Sequence, residues 1–187
     1  MTKVLGAVII FLIVTPTGFP QARPAGPNLD AQLLQAAAAG NAVAVAQLLE
    51  KGANIEAKDL YGHSALLLAA STGKVEVVQL LLEKGAKIEA KDNEGETALL
   101  LAAYWDKPQV VKLLLDKGAN INTRDGDGNT PLLRAARLGW VDVVKLLLER
   151  GANVEAKNDS GRTALELATF GEHPDVVKLL REKGAKL

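Results

Sequence analysis

A chain of 187 residues, 48% of them hydrophobic, is the size of a single domain with enough apolar surface for a sizeable core, which excludes a disordered polypeptide. Lys plus Arg and Asp plus Glu stand at 22 each. No net field therefore draws the chain to a phosphate backbone or an anionic membrane surface, and nucleic acid is not expected as a partner. The absence of cysteine excludes disulfides, thiolate metal sites, a cysteine nucleophile and a lipid-anchored cysteine, so the compartment must be read from the N-terminus.

There, Lys3 precedes an unbroken apolar run from Val4 to Val14, followed by the helix breakers Pro16, Gly18 and Pro20. This is the anatomy of a signal peptide, assigned to residues 1–22. The run is about half the ~20 residues that a bilayer-spanning helix needs. Export to the periplasm or the exterior is the expectation. Ala22 is the best cleavage residue and Gly18 the second; left uncut, the segment becomes a short membrane tether. Residues 23–27 read as a Pro-rich spacer.

Beyond the spacer the chain repeats itself. Gly62, Gly95, Gly128 and Gly161 recur every 33 residues, as do Gly52, Gly85, Gly118, Gly151 and Gly184, each of these followed by Ala. The pairs Val77-Val78, Val110-Val111, Val143-Val144 and Val176-Val177 keep the same spacing. The period divides residues 28–187 into 28–58, 59–91, 92–124, 125–157 and 158–187.

Each unit predicts two short helices and a turn. In residues 59–91, Gly62 suits the positive backbone angle of a tight turn, and Ser64 offers an oxygen to the open amides of the first helix. Thr97, Thr130 and Thr163 repeat that cap. Leu66, Ala69 and Ala70 give the first helix an apolar face, its alanines small enough for a close neighbour. The second helix carries Val77, Val78, Leu80, Leu81 and Leu82 and stops at Gly85. Neither helix can bury its face alone, so stability is expected from stacked neighbours.

The units differ at their edges. Residues 28–58 lack the turn motif, with Asp30 the predicted helix cap before AQLLQAAAAG, and read as an N-terminal capping repeat. Residues 158–187 run into Arg181, Glu182 and Lys183 and read as the C-terminal cap. Asp106 and Glu172 replace the glycine between helices, with Pro108 and Pro174 following, and predict reshaped loops. The recurrent Glu-Lys-Gly-Ala and Glu-Ala-Lys strings read as a solvated outer face.

The period and the string GNTPLLRAARLGWVDVVKLLLERGANV resemble ankyrin repeats, and the resemblance covers Asn28 to the C-terminus. It implies an all-α solenoid of stacked helix-turn-helix units joined by projecting β-hairpin-like loops, serving as a non-catalytic protein–protein interaction module. The family's Thr-Pro-Leu-His survives only as Thr130-Pro131-Leu132, followed by Leu133. Leu67, Leu100 and Leu133 hold the histidine position, so packing is expected in place of a hydrogen bond between turns; Glu166 holds it in the last repeat.

By position, the resemblance places a partner on the concave surface of the loops and first helices. The loop positions are Lys58, Leu60, Tyr61 and His63, then Lys91, Asn93, Glu94 and Glu96, then Arg124, Gly126, Asp127 and Asn129, then Lys157, Asp159, Ser160 and Arg162. Ser71, Thr72, Tyr104, Trp105, Arg137, Leu138, Thr169 and Phe170 follow at the ends of the first helices. Tyr61, Leu60, His63, Glu94, Tyr104, Trp105, Asp127, Arg137, Leu138 and Phe170 are the expected partner-binding residues, because Tyr, Trp and Arg often dominate interface energy. The competing role for Tyr104, Trp105 and Phe170 is to fill space beside the reshaped loops. Trp140, in the bend between helices, is assigned to packing.

Catalysis finds little support. His63 and His173 fall in different elements of non-adjacent repeats, and no HExxH string, phosphate-binding glycine loop or Gly-x-Ser-x-Gly turn is present. Glu94 and Glu96 read as solvated loop carboxylates beside Lys91. No enzyme activity, cofactor, metal or small-molecule substrate is expected. The expectation is a monomer that binds a protein, with the membrane met only through an uncleaved N-terminal segment. A self-associating scaffold is the alternative, and an unrecognised hydrolase the more distant one.

Overall fold

The computed structural model describes residues 28–186, so the signal peptide and spacer assigned to residues 1–27 lie outside the described residues. Within them the chain forms helices and no strand. The helices come in pairs: α1 (Leu29–Ala39) with α2 (Ala42–Glu50), α3 (Ala65–Ser71) with α4 (Val75–Glu83), and α5 (Ala98–Tyr104) with α6 (Pro108–Asp116). Next come α7 (Pro131–Leu138) with α8 (Val141–Glu149), and α9 (Ala164–Phe170) with α10 (Pro174–Glu182). The first helices pack in the order α1, α3, α5, α7, α9, and the second helices α2 to α10 line up behind them. The result is an all-α repeat solenoid two helices deep.

The helix starts follow from side-chain capping. Ser64, Thr97, Thr130 and Thr163 adopt extended backbone, and their hydroxyls accept from the amides of Leu67, Leu100, Leu133 and Glu166. In the first repeat the cap is Asn28, not Asp30. Asn28 accepts from the Ala31 amide at 3.1 Å. Asp30 sits inside the first turn of α1 and instead accepts from the Asn54 amide at 2.7 Å, tying α1 to the loop after α2.

The loops between paired helices are not reshaped. Asp106 and Glu172 take positive φ angles of 52° and 57°, beside 75° and 77° for Gly73 and Gly139 at the equivalent positions. The left-handed turn is kept and the side chain bears the strain, roughly 1–2 kcal/mol for a residue with a Cβ. Pro108 and Pro174 occupy the first turns of α6 and α10, where a missing amide hydrogen is harmless.

The core lies between the two helical layers and between successive repeats. Leu66, Leu81, Leu99, Leu114, Leu132, Leu147, Leu165 and Leu180 are fully buried, each worth about 1.5–3 kcal/mol relative to exposure. Ala69, Ala70, Ala102, Ala103, Ala135 and Ala136 are sealed between first helices. Leu67, Leu100 and Leu133 are buried too, so packing does hold the histidine position. Glu166, exposed at that position in the last repeat, completes a capping box with Thr163.

The Glu-Ala-Lys strings are more than a solvated face. Glu56, Glu89 and Glu155 accept from the amides of Lys87, Asn120 and Lys186 at 2.9, 2.8 and 3.0 Å, and Asn122 does the same for Asn153 at 3.0 Å. Lys58 donates to the Lys91 carbonyl at 2.7 Å, Lys91 to that of Arg124 at 2.9 Å, and Arg124 to that of Lys157. A ladder of side-chain to backbone bonds thus stitches each repeat to the next.

Candidate functional site

Each projecting loop is built on one side chain. Asp59 Oδ1 accepts from the amides of Tyr61 and His63, Asp92 Oδ1 from Glu94 and Glu96, and Asp125 Oδ1 from Asp127 and Asn129, all at 2.8–2.9 Å. Asn158 accepts from Arg162 at 3.0 Å. Neighbouring loops are joined by backbone bonds, from Asn93 to Tyr61, Gly126 to Glu94 and Asp159 to Asp127. At Gly62, with φ 84°, a Cβ would sit 2.5 Å from the Asn93 side chain, so this close approach requires glycine.

Between these loops and the first helices lies an open cavity of about 660 Å³. Of the expected partner-binding residues it gathers His63, Glu94, Tyr104, Trp105, Asp127, Arg137 and Leu138, with Ser71, Thr72, Glu96 and Asn129 beside them. Leu60 and Tyr61 lie outside it, 95% and 71% exposed on a loop. Phe170 also lies outside, 78% exposed in the last repeat, with the Arg162 guanidinium 5.3 Å from its ring centre. The space-filling role fails for Trp105 and Phe170, since Trp105 is 53% exposed and the adjacent loops are regular. Tyr104 stands edge-on to Trp105, with ring centres 5.1 Å apart. Trp140 packs against the core and donates to the Tyr104 carbonyl at 2.9 Å, holding the end of α5 in place.

The opposite end of the groove is charged and partly buried. Arg134 reaches Glu96 and Asp125, at 2.5 Å to each, and its guanidinium lies 5.2 Å from the Tyr104 ring centre. Glu96 is buried and paired, so it is no solvated loop carboxylate. Burial pushes its carboxyl above the usual range; Arg134 opposes this, while Asp92 and Glu94 add to it. For Asp125, burial pushes up as well, but hydrogen bonds from Arg134 and Asn129 outweigh it and hold the carboxyl below its ordinary value. His63 lies between two carboxylates, Nδ1 3.1 Å from Asp59 and Nε2 3.7 Å from Asp92. Burial pushes the Asp59 carboxyl up, but the hydrogen bonds it accepts from His63 and Tyr61 together outweigh that effect and hold it below its ordinary value.

Asp92, Asp125 and Arg134 are functional candidates that the sequence reading passed over. Arg134 carried a signal: it stands where Leu68, Leu101 and Leu167 occupy the same column of the repeat.

A family model described as ankyrin repeats (3 copies) matches residues 33–125 and 121–187. The chain belongs to the ankyrin-repeat family. No curated protein matches it. Ankyrin repeats are in general protein–protein interaction modules and typically non-catalytic scaffolds. In this ankyrin-repeat protein the described residues offer no group of three His, Asp or Glu side chains suited to hold a metal ion. Among them, no helix is long and apolar enough to cross a membrane. What the groove presents is a surface aromatic at one end and acidic at the other.

Proposed function

We propose that this ankyrin-repeat protein is an exported, monomeric, non-catalytic module that holds a protein partner in the groove between its loops and first helices. The observation that carries the reading is Trp105: a large aromatic ring half exposed on a helix end, with Tyr104, Arg137 and Leu138 around the same cavity. Exposed aromatic and arginine side chains on a preorganised scaffold are the usual anchors of an interface. Export rests on residues 1–22, through their Lys3 and the apolar run to Val14.

Affinity capture from envelope and cytoplasmic extracts tests this directly, comparing the protein with a Tyr104→Ala/Trp105→Ala variant shown by circular dichroism to be folded. A protein retained by the first and lost by the second supports the groove. Identical captures refute it. Light scattering that showed concentration-dependent assembly, abolished in the same variant, would favour a self-associating scaffold instead.

A further inference from the structure

The acidic end of the groove holds more negative charge than its own cations answer. Asp92, Glu96 and Asp125 are all at least nine-tenths buried, and one guanidinium, that of Arg134, is shared between Glu96 and Asp125. Asp92 receives neither bond. Its side chain is 1% exposed, and its Oδ2 has no hydrogen-bond partner among the described residues. The His63 Nε2, at 3.7 Å, is beyond hydrogen-bond reach. His63 and Glu96, the two side chains that screen Asp92, both line the cavity, and Glu94 and Asp127 add two exposed carboxylates on the same wall.

Asp92 Oδ1 accepts from the amides of Glu94 and Glu96, but a buried carboxylate oxygen left without a donor, as Oδ2 is, is costly to maintain, and a cation placed beside such a cluster relieves that cost. A metal ion does not suit the place, because the described residues provide no ligand group for one. The groove is also amphipathic along its length. Glu94 and Glu96 precede α5, and Tyr104 and Trp105 end it. A helix of that length places the two ends about 10 Å apart, the reach of about three residues of extended chain.

We propose that the groove recognises its partner through a basic side chain, a lysine or arginine, seated among Glu94, Glu96 and Asp127. A bulky apolar residue about three positions away in the same segment lies on Tyr104, Trp105 and Leu138. This rests on the groove being the partner site. Charge complementarity selects the occupant: the acidic wall repels phosphate backbones and anionic lipid surfaces, and a small amine would leave the aromatic end uncovered.

The probe is a phage-displayed library of random linear peptides, panned on the whole protein and re-measured as labelled synthetic peptides. Enriched peptides should pair a Lys or Arg with a bulky apolar residue at that spacing. Replacing the basic residue by alanine should weaken binding at least about tenfold, and so should Glu94→Gln combined with Asp127→Asn, two exposed changes that leave the fold intact. Glu96→Gln should act in the same direction. Binders that depend on Trp105 yet lack a basic residue, or ignore the loss of the carboxylates, overturn this inference while leaving the groove as the partner site. A library yielding no binder sensitive to Trp105→Ala overturns both.

Discussion

The Glu-Ala-Lys ladder and the groove are built from the same repeat but use it in opposite ways. Along the ladder, equivalent positions carry equivalent residues, Glu56, Glu89 and Glu155 or Lys58, Lys91 and Lys157, and most of them make the same bond to the next repeat. In the groove, equivalent positions diverge: His63, Glu96, Asn129 and Arg162 share one column, and Leu68, Leu101, Arg134 and Leu167 another. What recurs holds the stack together. What departs from the recurrence makes one place on the stack unlike the rest, and that place is the groove around Glu96, Tyr104, Trp105 and Arg134.

The largest test of this contrast is Arg134→Ala. Arg134 answers two buried carboxylates, and its removal leaves both without a cation, a loss expected at about 3–5 kcal/mol in urea unfolding. A loss below about 1 kcal/mol would mean that the charged end of the groove contributes little to the fold. Next comes a pair of substitutions that should separate the two regions. Glu89→Ala removes one bond of the ladder and should cost about 1 kcal/mol of stability without changing partner capture. Trp105→Ala should leave stability within about 0.5 kcal/mol and abolish capture. If both variants lose stability and capture together, the division between fold and site is wrong.

Glu172→Gly should act in the opposite direction. It relieves a non-glycine residue at φ 57° and should raise stability by about 1 kcal/mol, measured by the same unfolding curves. The smallest effect is the pH dependence of stability. Glu96 is raised, so between the ordinary carboxylate range and its higher folded value the folded state keeps a proton that the unfolded chain has released. Its contribution therefore falls as pH rises through that window, and Glu96→Gln should flatten this slope. Asp125 is lowered, so its contribution is present above its ordinary value and lost as pH falls toward its folded value. A slope unchanged in Glu96→Gln would remove Glu96 as its source.

The sequence made the solenoid legible because the features that define it are local. A Ser or Thr accepts an amide three residues on, and a glycine takes a positive φ, wherever the chain goes next. Legibility ended where a distant repeat decided the outcome. Asp30 and Asn28 are both good caps by type, and the choice fell to Asn28, while Asp30 bonds the amide of Asn54. Asp106 and Glu172 suggested altered loops, yet the packing around them imposes the turn that glycine makes elsewhere. Glu96 looked solvated beside Lys91, yet it is buried and paired with an arginine from the following first helix. Even so, Arg134 interrupts a column of leucines, and such an interruption is visible to anyone who aligns the repeats against one another.

Hydrogen–deuterium exchange on the complex with a captured protein is the sharpest check on whether the non-repeating positions hold the partner. Protection is predicted in residues 93–105 and 126–138, which carry the groove's loops and the helices α5 and α7, with α4, α6 and α8 unchanged. Protection confined to the second helices, or to residues 158–186, would contradict it.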